Sequence, residues 1–337
     1  MSVHLARAGV ETRYLFSGRP RDRYFDMQPF GDWWDRRGLS FVTSRGRLRP
    51  FQTLMQNSVR ELYRDIVKLD LSDFDLVISD FEPISAWAAR RQGVPCITIG
   101  HQYAFEYAIP IEGDSLVSRA IMKFFAPGAE RLGLHWHHFE QPILPPIIDT
   151  RERALPIRDG QVLVYLGFES PAEVIPLLQR FPRQKFVYYG DFGKPLEDRN
   201  VSLRPLSVQG FKQDIAQSRG VICNAGFELA SEALYLGKSL LVKPLQGQME
   251  QLSNALALER LGLGQRMQTL NEEAISRWLD TAPVPECHYP DVAEAIVNWL
   301  LKPQRPTVQQ LADSLWQSAR VSSHGNGPMD TALALAI

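Results

Sequence analysis

Hydrophobic and polar positions alternate between two kinds of segment along the whole chain. Short continuous apolar runs are typical of strands that are covered on both faces of a parallel sheet. The runs predicted as strands are 12–16, 39–43, 75–79, 96–99, 161–166, 185–189, 220–223 and 239–243. Between them lie segments with apolar residues at helical spacing, such as 51–69 and the segment that Pro83 opens and Gly93 ends. This order predicts the α/β class with parallel sheets.

One stretch interrupts the pattern. Residues 141–160 contain four prolines and mixed charges without a sustained period, which is typical of an interdomain linker. We therefore predict two doubly wound domains, with any ligand between them at the carboxyl ends of their strands. The predicted parts are a first domain (1–143), a linker (144–160), a second domain (161–303) and a C-terminal helix and tail that cross back to the first domain (304–337).

Composition excludes several classes of protein. The chain has 337 residues, 45% of them apolar, and a formal charge of −1, which excludes a disordered chain and argues against a nucleic-acid partner. No run approaches the roughly 18 apolar residues of a membrane span, and the N-terminus lacks the apolar stretch of a secretion signal. Three widely spaced cysteines fit a reducing compartment. A cytoplasmic location is predicted.

The most informative segment is 220–264. A strand ends there in the turn Asn224-Ala225-Gly226, and a helix over 228–236 follows. Small residues in the turn let the backbone approach a ligand, and the free N–H groups of the new helix offer a phosphate site. The alternative is a close-packed turn between strand and helix with no ligand.

This segment resembles the donor site of GT-B glycosyltransferases that use UDP-sugars. In that family a strand ends in His-x-Gly, and a Glu six residues beyond the Gly holds the ribose hydroxyls of UDP. Asn224-Ala225-Gly226 and Glu232 occupy those places here. The resemblance implies two Rossmann-like domains that face each other across a cleft, with the donor bound by the second and the acceptor by the first.

Further matches occur along the chain. The family carries Pro, then Asp/Glu-Gln, then Asn-Ala, and this chain has Pro244, Glu250-Gln251 and Asn254-Ala255. By this resemblance Glu250 and Gln251 bind hydroxyls of the transferred sugar, and Asn254 lies near the phosphates. A carboxylate beside an amide can accept from and donate to adjacent hydroxyls. The alternative for Glu232, Glu250 and Gln251 is a solvated helix face.

The chain departs from the family pattern at two positions of the phosphate site. The usual His is Asn224, which can donate to a phosphate oxygen but carries no charge, and a phosphate-binding Ser/Thr is replaced by Leu229. The charge of the adjacent Glu228 is unfavourable near a diphosphate unless its side chain points away. The backbone N–H groups of Gly226 and Phe227 would then bind more of the diphosphate.

Other resemblances concern the binding of uracil and the branch of the family. Gln209 matches a uracil-framing Gln, Leu206 stands where the family has an aromatic residue, and Gly167 is either an opening for the sugar diphosphate or a plain tight turn. The segments LFSGRP, VISDFEP, VLVYLGFES and NAGFELASEALYLGK resemble an uncharacterised prokaryotic branch of the UDP-glycosyltransferase and peptidoglycan-type N-acetylglucosaminyltransferase group. This resemblance covers roughly residues 4 to 270 and does not specify the acceptor.

Inverting transfer needs a base for the acceptor hydroxyl. In the related transferases this is a His in a Gly-rich loop after the first strand, supported by an Asp that ends a later strand. Asp80 matches the supporting Asp, with a role as helix N-cap as the alternative. The chain opens on a segment that resembles the end of the first helix, so the first strand and its His loop are expected to be missing. His101, after a predicted strand, is the best remaining candidate base.

Two features are considered for the acceptor. Residues 1–64 hold 12 Lys+Arg and 6 Asp+Glu, a charge of 12 − 6 = +6, with Trp33 and Trp34 among the arginines. The segment 115–125 is largely apolar and carries Arg119 and Lys123. Together they suggest docking on an anionic membrane that holds a lipid-linked acceptor, and the alternative is a solvated basic face.

The histidine cluster at 135–138 is interpreted as a surface strand rather than a metal site, because no third ligand accompanies its two imidazoles on one strand face. The sequence thus predicts a metal-independent, inverting glycosyltransferase of hexosyl or N-acetylhexosaminyl units. It would use a UDP-sugar, an unknown acceptor hydroxyl that is lipid-linked or belongs to the cell envelope, and no further cofactor. Peripheral contact with the inner face of the membrane stays open. The alternatives are a UDP-sugar 2-epimerase and a nucleotide-sugar-binding protein without transfer.

Overall fold

Strands and helices alternate in the computed structural model, which describes residues 1–24, 27–39, 43–44, 46–48, 58–152, 154–281 and 287–321. The α/β class with parallel sheets is confirmed. Residues 40–42 of one predicted strand, 51–57 of the predicted helix and 322–337 of the predicted tail lie outside the described residues.

The helices are α1 (Ser2–Arg7), α2 (Val59–Lys68), α3 (Pro83–Gln92), α4 (Leu116–Phe124), α5 (Pro171–Leu178), α6 (Val208–Gln217), α7 (Phe227–Tyr235), α8 (Met249–Arg260), α9 (Glu272–Leu279), α10 (Val292–Leu300) and α11 (Val308–Ser318). The strands are β1 (Tyr14–Ser17), β2 (Trp33–Arg36), β3 (Thr43–Ser44), β4 (Arg47–Leu48), β5 (Val77–Ser79), β6 (Cys96–Gly100), β7 (Glu130–Gly133), β8 (Val162–Tyr165), β9 (Phe186–Gly190), β10 (Leu196–Asp198), β11 (Val201–Pro205), β12 (Gly220–Asn224), β13 (Ser239–Lys243), β14 (Gln265–Arg266), β15 (Cys287–His288) and β16 (Arg320–Val321).

The first half contains two small parallel sheets. Strands β1 and β2 pair with each other, and β5, β6 and β7 form a three-stranded sheet in that order. A buried cluster that includes Val77, Ile84 and Cys96 packs α3 against this second sheet. Parallel pairing places the ends of β5 and β6 at the same edge, which faces the second half of the molecule.

The second half is built on a seven-stranded sheet in the order β10-β11-β9-β8-β12-β13-β14. Only β10 is antiparallel to its neighbour, and β12 and β13 are buried along their whole length, as their apolar runs predict. The chain goes from β8 outward to β9 and β11 and then returns to β12 on the other side of β8. The strand order therefore reverses between β8 and β12, where α/β sheets bind ligands at their carboxyl ends.

The last helix contacts the first half. On α11, Trp316 donates from Nε1 to the Ile143 carbonyl at 2.7 Å, and Arg305 before it pairs with Glu130 at 2.8 Å. Within the described part of the chain, every helix is too short or too polar to cross a membrane.

Two expectations about exposed segments are wrong. Residues 135–138 form a loop after β7 rather than a surface strand, and His135 and Trp136 are buried against the second half, where Trp136 donates to Ser231 at 2.8 Å. Among the described residues no group of His, Cys, Asp or Glu is arranged to hold a metal ion. Trp33 is also buried, packed on Phe16 and Tyr24, so it adds nothing to a docking surface.

Candidate functional site

The amino end of α7 lies at the carboxyl edge of the second sheet. Asn224 ends β12, Gly226 is the N-cap of α7, and Phe227 is its first residue. A Cβ on Gly226 would meet no atom within 4 Å, so the space in front of the turn is open. Backbone N–H groups at the start of a helix favour an anion there. Glu228, in the first turn, is exposed.

Asn224 does not point its amide into this space. Its Oδ1 accepts from the Phe168 backbone N–H at 3.3 Å, and its Nδ2 donates to the Lys243 carbonyl at 3.0 Å. The side chain therefore ties the ends of β8, β12 and β13 together. Gly167, in the turn after β8, is exposed, and a Cβ there would meet only the Tyr165 ring, at 3.8 Å.

A buried ion pair, absent from the sequence prediction, reinforces the same edge. Lys243 Nζ lies 2.6 Å from Glu169 Oε1, and the two side chains are 6% and 3% exposed. Gly46, between β3 and β4, covers the pair: its N–H donates to the Phe168 carbonyl, and its carbonyl accepts from Gln246. A Cβ on Gly46 would collide with both charged groups. The only sequence signal was a lysine that ends a buried strand.

Helix α8 brings Glu250, Gln251 and Asn254 to this edge. Gln251 and Asn254 are buried, and each is bonded within the protein: Gln251 Oε1 accepts from the Leu245 N–H at 2.9 Å, and Asn254 Nδ2 donates to the Ala225 carbonyl at 3.0 Å. Glu250 is partly buried and accepts a long hydrogen bond, 3.4 Å, from Gln102 of the first half. Desolvation, followed by the charge of Glu228, raises the pKa of Glu250 to about 7.

Glu232 lies on the second turn of α7. It borders a small cavity with Lys212 of α6 and the linker residues Asp149 and Glu152, and burial raises its pKa. Lys212 pairs with Asp149 at 3.3 Å and with Glu152 at 2.8 Å, so the linker packs beside Glu232.

The two residues predicted to frame a base lie at the carboxyl end of β11. Leu206 is 49% exposed, and Gln209 is exposed on the first turn of α6. Ser207 between them is the N-cap of that helix.

Asp80 follows β5 and faces the opening between the two halves. The N-cap of α3 is Glu82, whose carboxylate accepts from the N–H groups of Ile84 and Ser85, so the capping role considered for Asp80 belongs to Glu82. Phe81 between them has a φ of 46°, a strained value that turns the chain sharply after Asp80. The Asp80 side chain is exposed to the opening, yet the surrounding protein partly desolvates it, and with Glu228 this raises its pKa to about 6.

His101 follows β6 and is buried between the halves. Its Nδ1 lies 2.8 Å from the Leu134 carbonyl oxygen, and its Nε2 lies 2.5 Å from Asn254 Oδ1. The ring stacks on Phe227, with centroids 4.0 Å apart and planes within 5°. Burial lowers the pKa of His101 to about 4. Both nitrogens are in use and 2% of the residue is exposed, which favours a positioning role over proton transfer with an acceptor.

The comparisons with known proteins concern the family and the fold. The profile of "Glycosyl transferase family 1" matches residues 2–283. Among solved structures, the glycotransferase of kitacinnamycin is 15% identical with a TM-score of 0.54, and the alignment covers 94% of this chain and 89% of that one. The glycosyltransferase SsfS6 of Streptomyces sp. SF2575, complexed with thymidine diphosphate, is 13% identical with a TM-score of 0.54 and 94% coverage of both chains.

A third similar structure is Os79 from O. sativa, in complex with U2F and trichothecene. It is 12% identical with a TM-score of 0.52, and the alignment covers 82% of this chain and 86% of that one. At these identities the likeness establishes the fold, two Rossmann-like domains of the GT-B type. Among curated protein sequences no relative matches.

Proposed function

Because the chain belongs to glycosyl transferase family 1, we propose that it transfers the sugar of a UDP-sugar to an acceptor hydroxyl, with inversion and without a metal ion. The observation that supports this most is the open amino end of α7, where Gly226 leaves room for an anion beside the carboxylates of Asp80 and Glu250. A diphosphate fits the amino end of α7, and sugar and acceptor hydroxyls fit the two carboxylates.

The donor would lie along the carboxyl edge of the second sheet. The first N–H groups of α7, starting with that of Phe227, would bind the diphosphate, because the Gly226 N–H donates to the Asn224 carbonyl at 2.8 Å. Glu232 would bind the ribose hydroxyls, and Glu250 the transferred sugar. Leu206 and Gln209 would contact the base. One neighbour in the same fold is complexed with thymidine diphosphate, which supports a nucleoside diphosphate donor and makes TDP-sugars the first competitor to test.

We assign the base to Asp80. Its exposed carboxylate, with a pKa raised to about 6, is ionised at neutral pH and basic enough to take a hydroxyl proton. The acceptor oxygen forms a bond to the anomeric carbon, the bond from that carbon to the phosphate oxygen breaks on the opposite face, and the acceptor proton goes to Asp80. The departing UDP carries the new charge to the helix end, where backbone dipoles stabilise it.

The acceptor side presents an unusually apolar helix. On α4, Leu116, Val117 and Phe124 are 88%, 69% and 57% exposed, and Lys123 lies over the Phe124 ring. We propose that this face touches an anionic membrane that holds a lipid-linked acceptor. The variant Leu116→Ser/Phe124→Ser should lose flotation with phosphatidylglycerol vesicles at low salt. A wild-type protein that stays unbound would refute the membrane contact without affecting the donor site.

Thermal-shift measurements with UDP, TDP and GDP test the donor, since at equal concentration the ligand with the higher affinity stabilises the folded state more. UDP should raise Tm in the wild type, and Glu232→Ala should abolish the shift. The matched control, Glu273→Ala on an exposed turn of α9, should keep it. A UDP shift that survives Glu232→Ala would refute the donor assignment. Conversion of a UDP-sugar without any acceptor would indicate an epimerase instead.

A further inference from the structure

A short chain of hydrogen-bonding groups connects the two domains through His101. It runs from the Leu134 carbonyl to His101 Nδ1, from Nε2 to Asn254, and from Asn254 to the Ala225 carbonyl, over 2.8, 2.5 and 3.0 Å. His101 is 2% exposed and Asn254 is fully buried, so water does not substitute for either partner. The chain ends at the turn that leads into α7.

The number of donors decides which protonation state fits this chain. Both ends are carbonyl oxygens, which only accept, and a neutral imidazole has one N–H. If Nδ1 donates to Leu134, the Nε2 lone pair faces Asn254 Oδ1. Turning the amide over makes Nδ2 donate to Nε2, but then Oδ1 faces the Ala225 carbonyl. Every neutral arrangement leaves one pair of acceptors in contact, and only the imidazolium satisfies all three contacts.

The surroundings oppose that charge in the absence of a ligand. Burial holds the pKa of His101 at about 4, and the nearest imidazole, His135, has its ring centroid 5.3 Å away and its own pKa lowered well below the usual range. The carboxylates on the packed elements are Glu228 on α7 and Glu250 on α8, and Asp80 directly follows β5, the strand beside β6. Without a ligand, His101 is therefore neutral near pH 7, and one contact of the chain is unfavourable.

We propose that His101 takes up a proton from solvent when a sugar nucleotide binds, so that a buried imidazolium faces the diphosphate across the Phe227 ring. The proton adds to Nε2 and is donated to Asn254 Oδ1, while Nδ1–H keeps its bond to Leu134. The anion at the α7 end supplies the charge that stabilises the imidazolium, and the imidazolium fixes Asn254 and the Ala225 turn. His101 is thus a positioning residue that supplies charge where the family His is replaced by Asn224.

This inference rests on the proposed donor site, and proton uptake tests it. Binding of UDP-glucose and UDP-N-acetylglucosamine is measured by calorimetry at pH 6 in buffers of different ionisation enthalpy. Their diphosphates are diesters that do not titrate there. Asp80→Asn serves as the background, because Asp80 titrates near pH 6 in the same cleft. Glu250 is largely protonated at that pH.

Close to one proton should be taken up per ligand bound by Asp80→Asn, and almost none by Asp80→Asn/His101→Gln. The matched control, Asp80→Asn/His288→Gln, changes an exposed histidine and should keep the uptake. Equal uptake with and without His101, or no uptake in the background variant, would overturn the inference while the donor site stands. If neither sugar nucleotide, nor UDP, binds the wild type, the donor site and this inference fall together.

A second measurement does not depend on the folding of the His101 variant. Asp80→Asn labelled with ¹⁵N-histidine is titrated with the sugar nucleotide that binds. One buried histidine should move from the spectrum of a neutral ring to that of an imidazolium on saturation. Persistence of a neutral ring in the saturated complex would contradict the proposal.

Discussion

Asp80 and His101 lie directly after neighbouring parallel strands of the same sheet, yet their surroundings differ completely. Asp80 opens to the cleft, and partial desolvation raises its pKa to about 6. His101 is enclosed by Leu134, Asn254 and Phe227, and full burial lowers its pKa to about 4. The same physical cause, loss of solvent, thus makes the carboxyl a better base and the imidazole a poorer one.

The difference comes from the segments that connect each strand to its next helix. After β5 the strained turn at Phe81 directs the chain away and leaves Asp80 at the edge, because Glu82 caps α3 in its place. After β6 a 3-10 helix over His101–Glu106 folds back, and the second domain covers the histidine. Of these two residues at equivalent positions of one sheet edge, Asp80 can therefore contact substrate, and His101 connects the two domains.

The strongest test of this division is Asp80→Asn. If Asp80 takes the acceptor proton, kcat should fall about 10²- to 10⁴-fold, the usual contribution of a general base. The wild-type kcat should rise with pH through about 6 and then level off, because the ionised carboxylate is the active form. The rate of transfer is measured as the rate of UDP release between pH 5 and pH 8.

Affinity for UDP serves as the control, since Asp80 lies on the acceptor side and its replacement should leave the UDP thermal shift within experimental error. If Asp80→Asn kept both the wild-type kcat and the rise of kcat near pH 6, another group would take the proton.

A smaller effect is expected from His101→Phe, which keeps the ring that stacks on Phe227 and removes both nitrogens. In the ligand-free protein the Leu134 carbonyl loses its buried donor, which should lower the free energy of unfolding by about 1–3 kcal/mol. Urea unfolding measures this loss. KM for the sugar nucleotide should rise, while the rise of kcat near pH 6 stays.

If the rise of kcat near pH 6 were lost in His101→Phe, His101 would be the base and Asp80 the positioning residue. His138→Phe, at a partly exposed position of the loop after β7, is the matched control and should have little effect on either quantity.

The sequence was sufficient for the architecture because it depends on local patterns. Apolar runs predicted the strands at 161–166, 185–189, 220–223 and 239–243, and the structure has β8, β9, β12 and β13 at those places within a residue or two. Pro83 and Gly93 bound α3 as expected, with Gly93 at a φ of 73°. Such signals are carried by neighbours in the chain.

Contacts between distant segments were not predictable in this way. The Glu169–Lys243 pair, its cover by Gly46 and the bond from His101 to Asn254 each join residues more than 70 positions apart. Burial of His135 and Trp136 was missed for the same reason, since residues distant in the chain, such as Ser231 and Phe227, help to cover them. The motif positions reached the expected edge, but packing turned Asn224, Gln251 and Asn254 toward protein partners.

Glu250 lies between the two extremes, partly buried on the other side of the cleft, and its expected effect is on the pH dependence of stability rather than on transfer. Its pKa is about 7 in the folded protein against 4.5 for the ordinary group, so the folded state holds more protons between these values. Its contribution to stability is present below pH 4.5 and is lost as pH rises through about 7. The slope is at most about 1.4 kcal/mol per pH unit.

Glu250→Gln keeps the neutral shape and removes the titration. The free energy of unfolding of this variant should exceed that of the wild type increasingly from pH 5 to 7, and above pH 7 the two curves should run parallel. Urea unfolding at each pH measures the difference, with the exposed Glu273→Gln as control. Curves that stay parallel from pH 5 to 8 would mean that the cleft solvates Glu250 as freely as it does an exposed carboxylate.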